Sequence, residues 1–172
     1  FQKINPLFFI FANNLSLCAH TICKTKIGGK GIMDQNTELL DFIYKNTEMG
    51  LSTLDRLVGI AEDDHFKVAL LTQKEEYHKI FAEAKQLAGV ELEKTGAMAK
   101  FSAYMMLELK TLADNSPSHI AEMLIQGSTM GVVDMTKRLK EYTCASDKVR
   151  ALAQKLLETE QQNIETMKGF LR

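Results

Sequence analysis

An all-α protein is the fold class this sequence predicts: a four-helix bundle whose long second-to-third connection carries an extra short helix. Three observations predict it. From Met33 onward no stretch alternates strictly between apolar and polar residues, as a half-buried strand would. Apolar residues recur instead at three- and four-residue intervals, over four segments of about 25 residues each. The first-to-second and third-to-fourth connections are short and the second-to-third is long, the pattern of bundles with one crossover.

The first helix is predicted over Thr37 to Ala61, with Leu40, Tyr44, Thr47, Leu51, Leu54, Val58 and Ala61 at heptad-like spacing. Glu62, Asp63 and Asp64 make the connection, and acids suit the positive end of the helix that follows. That second helix is predicted from about His65 to Glu93, before Gly96 interrupts the chain. The short crossover helix covers Ala97 to Ala113. Ser116 and Pro117 then read as N-cap and first residue of the third helix, which runs to about Thr143. Ser146 opens the fourth, which continues almost to Arg172.

The 172 residues are 45% hydrophobic and 25% charged, as in an ordinary soluble domain. A net charge of −1 carries no footprint of a nucleic-acid binder. The charges are unevenly placed. Residues 1–32 hold four Lys (Lys3, Lys24, Lys26, Lys30) and no acid, leaving 17 Lys and Arg against 22 Asp and Glu beyond them. The early apolar run Leu7 to Ala12 is too short to span a bilayer and lacks a convincing cleavage site. Gly28-Gly29-Lys30-Gly31-Ile32 precedes Met33, and those codons can spell a purine-rich bacterial ribosome-binding site. The expectation is a non-native leader over 1–32 and a bundle domain over 33–172. That domain would keep one cysteine, Cys144, as an incidental thiol, which with no targeting signal points to a reducing cytoplasm.

Polar residues in the predicted core carry the functional reading. On the fourth helix Val149, Ala153, Leu156, Ile164, Met167 and Leu171 share a stripe, and Glu160 and Asn163 fall in its middle. A buried carboxylate costs several kcal/mol unless it is paired or binds metal, so a facing helix must answer Glu160. The second helix offers two faces. One holds Leu70, Tyr77, Phe81, Ala84 and Ala88, with Lys74 available for an ion pair to Glu160. The other holds Leu71, Glu75, His78 and Ala82, and its Glu-x-x-His spacing suits a di-iron or di-manganese bundle site. Glu48 flanks the first helix's stripe, Asp134 lies near the apolar face of the third, and Gly127 and Gly131 point to close helix packing there.

With Asn46-Thr47-Glu48-Met49-Gly50, Gln73-Lys74-Glu75-Glu76-Tyr77-His78 and Glu158-Thr159-Glu160-Gln161-Gln162-Asn163, the chain from Met33 to Arg172 resembles the ferritin-like superfamily, especially rubrerythrin-type and small bacterial ferritin-like bundles. The resemblance implies iron or manganese ligands at Glu48, Glu75, His78 and Glu160, with Asn163 where the family has its last histidine. The third helix offers only Gln126, Ser128 and Glu122 near the place of a bridging Glu. Two function classes follow. One is a metal-binding protein that handles iron or peroxide. The other, favoured by the missing ligands, is a non-catalytic bundle that binds a partner, either a second copy in a homodimer or another protein. No nucleophilic constellation or phosphate loop is present in the sequence, so no catalytic or nucleotide-binding residue is assigned.

Overall fold

The computed structural model describes residues 32–89 and 114–172. These form four helices and no strand: α1 (Ile32–Ile60), α2 (Asp64–Ala88), α3 (Pro117–Glu141) and α4 (Asp147–Lys168). The predicted all-α class is therefore what the described residues show. The expected leader and crossover helix lie outside them. No helix among the described residues is long and apolar enough to cross a membrane.

Local chemistry explains most helix ends. Asp63 caps α2, its carboxylate accepting from the Phe66 N–H at 2.7 Å. Gly89 stops α2 with φ +64°, a left-handed conformation that glycine adopts without steric cost. The expected end at Glu93 is thus corrected: the chain has already left the helix at Gly89. Ser116 caps α3 by accepting from His119 N at 3.3 Å, with Pro117 as its first residue. The guanidinium of Arg150 donates to the Leu139 and Tyr142 carbonyls where α3 ends.

The start of α1 has a tertiary cause. It runs five residues earlier than expected. In its first turns the Gln35 and Asn36 side chains accept from the Cys144 and Ser146 backbone N–H groups, at 2.9 and 2.7 Å. Partners about 110 positions away leave no local mark in the sequence.

Two hairpins make the bundle. α1 packs along α2, α3 packs along α4, and α4 also lies against α1 and α2. The consecutive helices α2 and α3 are not among the closely packed pairs. Phe66, Leu70, Gln73, Tyr77, Ile80 and Ala84 are the buried face of α2. Val149, Leu152, Ala153, Leu156, Glu160, Asn163 and Met167 are that of α4. Leu152 apart, both sets follow alternating three- and four-residue steps. On α1 the most buried positions are Leu39, Ile43, Thr47, Leu54 and Leu57, so the expected stripe is rotated slightly: Tyr44 and Val58 are only partly buried.

Candidate functional site

The first of the two faces expected for α2 points inward. Tyr77 is buried, while Leu71, Glu75, His78 and Ala82 face solvent. Successive residues turn by about 100° on a helix, so a face centred on Tyr77 directs Glu75 and His78 away from the core. The predicted ligand set is therefore not assembled. Glu160 and Asn163 lie in the core, Glu48 is half-buried on α1, and Glu75 and His78 are on the outer face of α2. No three His, Cys, Asp or Glu among the described residues come together as a metal-holding group.

The other expected partner of Glu160 is also elsewhere. Lys74 pairs with Asp55 of α1, in a bridge open to solvent. Asp134, expected near the core, is exposed and faces Lys137. Thr47 is fully buried, but its hydroxyl donates to the Ile43 and Tyr44 carbonyls of its own helix. Cys144 is half-buried in the turn between α3 and α4, where its backbone N–H donates to the Gln35 side chain.

What surrounds Glu160 is neutral. The Ser128 and Tyr77 hydroxyls stand beside its carboxylate and favour the charged form. Burial outweighs the two hydroxyls and pushes the carboxyl up to about 7. The Tyr77 phenol in turn is held well above its usual range, first by burial and then by the neighbouring carboxylate. Asn46, Gln73 and Asn163 complete a polar layer within an apolar bundle, each at most 8% exposed.

Two glycines make room for this layer. A Cβ at Gly131 would stand 3.1 Å from Glu160 Oε1 and 3.3 Å from Asn46 Nδ2. A Cβ at Gly50 would meet the Tyr77 ring at 2.9 Å. The close approach expected around Gly131 is present, and what approaches is the carboxylate itself.

A cavity of about 40 Å³ lies beside the layer, with Asn46, Thr53, Gln73, Tyr77, Ser128 and Glu160 among its walls. Three buried polar atoms have no hydrogen-bond partner among the described residues: Glu160 Oε2, Gln73 Oε1 and Asn163 Nδ2. Such orphans are rare, because each forfeits the hydrogen bonds it made to water. On the outer side of Gln73 a groove of about 500 Å³ runs between α2 and α4, and Asn163, Glu76, Glu158 and Lys155 also line it.

Sequence reasoning found Glu160 and Asn163, put Tyr77 on one of two candidate faces of α2, named Ser128 near the place of a bridging ligand on α3, and missed Gln73. Gln73 was findable, because it sits on the three-and-four rhythm that carries Leu70, Tyr77 and Ile80. The chain matches no family model, no curated protein and no solved structure.

Proposed function

We propose that this chain is a ferritin-like four-helix bundle that acts by binding rather than by catalysis, and that it has no oxidase-type di-metal centre. The observation that carries this reading is the content of the core. Glu160 is the one carboxylate among the buried described residues, and its neighbours are hydroxyls and amides. A di-iron centre draws on several carboxylates and histidines projecting inward, and here Glu75 and His78 project outward. The separation of α2 from α3 supports a connection that crosses the bundle, as in ferritin-like topology.

The binding partner in this reading is a protein, a second copy of the chain or another. Met130 and Val133 of α3 are 47% and 45% exposed, and flexible methionine suits an adaptable apolar contact.

Metal analysis of the full chain after anaerobic loading with Fe(II) or Mn(II) tests the first part. Substoichiometric metal is expected. One or two ions per chain, lost in Glu160→Ala, would overturn it in favour of iron or peroxide handling. Light scattering tests the second part: a monomer mass at tens of micromolar counts against homodimerisation.

A further inference from the structure

Three features set the chemistry of the cavity beside Glu160. The first is its pair of orphan acceptors. Glu160 Oε2 and Gln73 Oε1 are unpartnered oxygens on side chains each 3% exposed, and both residues line the same small space. The second is the wall. Asn46, Thr53, Tyr77 and Ser128 bring four more side-chain oxygens to it. The third is charge. Glu160 is the only ionisable carboxylate in the lining, and no Lys, Arg or His stands there with it.

We propose that this cavity binds one small monovalent cation, of potassium or ammonium size, held between Glu160 and Gln73. One positive charge balances one carboxylate. A divalent ion would leave a surplus charge in the core, and three acidic or imidazole ligands are not gathered here to offset it. A neutral molecule would satisfy the oxygens without compensating the buried charge. The volume of about 40 Å³ admits a body close to the size of water and excludes a larger organic cation. Gln73 lines both the cavity and the groove between α2 and α4, so its amide forms the partition the ion passes. Glu76 and Glu158 stand on the outer side of that partition.

The proposal goes beyond the reading given above and shares with it only the lone core carboxylate; iron analysis tests that reading and chloride titration tests this one. Thermal melts of the full chain at about pH 8, where the carboxyl is ionised, would compare potassium, ammonium, magnesium and choline chlorides at equal ionic strength. The expected result is a midpoint rising by about 4 °C per tenfold increase of potassium or ammonium above half-saturation, with no rise in choline. Response to ammonium alone assigns a protonated nitrogen, and response to both assigns an alkali-type site; either supports the proposal. The gain should vanish in Glu160→Gln. Should that variant fail to fold, Gln73→Leu carries the same comparison. Equal midpoints in every chloride, a larger gain from magnesium, or an undiminished gain in the folded variant would overturn it.

Discussion

Tyr77 of α2 sets its phenol beside the carboxylate of Glu160 on α4, and that contact crosses between the two helical hairpins of the bundle. It is reinforced by Ser128 and backed on both sides by glycine, Gly50 behind the ring and Gly131 behind the carboxylate. A polar contact so enclosed is felt as stability, and its state depends on protons.

Stability should fall as pH rises through neutrality. Glu160 titrates near 7 in the folded chain and near the ordinary 4.5 when unfolded. A raised carboxyl contributes stability that is fully present below about 4.5 and is lost as pH rises through 7. The difference corresponds to about 3 kcal/mol between the two limits. Denaturant titrations in choline chloride from pH 4.5 to 8 should show this decline, and Glu160→Gln should flatten it. An unchanged slope in that variant would place the titration elsewhere.

Removing the phenol hydroxyl should move the same titration upward. Tyr77→Phe deletes one of the two hydroxyls that favour the charged form, so the midpoint of the decline shifts above 7. The loss at neutral pH should be about 1–2 kcal/mol. Both shifts are read from the same pH series.

Alanine at the bundle's glycines should act in opposite directions by position. Gly131→Ala must displace Glu160 or Asn46 by a few tenths of an ångström, and the carboxylate is enclosed in the core beside Tyr77 and Ser128. A net loss of about 1–2 kcal/mol is expected despite the better helix former. Gly59→Ala, with nothing within 4 Å of the new methyl, should gain a few tenths to about 1 kcal/mol. Thermal melts of the two variants side by side provide the check.

Lys74→Ala should cost less than about 1 kcal/mol, because its bridge to Asp55 is solvent-exposed. Were Lys74 the buried counter-ion of Glu160, the loss would be about 3–5 kcal/mol. His78→Ala, on the exposed face of α2, should stay within about 0.5 kcal/mol of the parent.

The fold was legible where one helix dictates its own pattern. The buried face of α4, with Glu160 and Asn163 inside it, follows from spacing alone. Ser116 and Pro117 announce α3 for the same local reason. What could not be read was rotation. Leu70-Tyr77-Ala84 and Leu71-His78 are neighbouring stripes on one helix, and only packing against α1 and α4 decides which turns inward. The site inherits that ambiguity. Choosing the Glu75 and His78 face makes a metal centre, whereas the face the bundle uses brings a phenol to the carboxylate.

The polar layer is built from both halves of the chain, and this shapes how the bundle comes together. Gln73 and Tyr77 belong to the first hairpin; Ser128, Glu160 and Asn163 belong to the second. Each hairpin is joined by short-range contacts and closes early, whereas the layer forms only when the two dock. Before docking Glu160 faces water and is ionised near pH 6; afterwards it holds a proton. Assembly of the bundle at that pH is therefore a proton-uptake reaction, and an indicator dye followed during refolding should register close to one proton per chain on joining the halves.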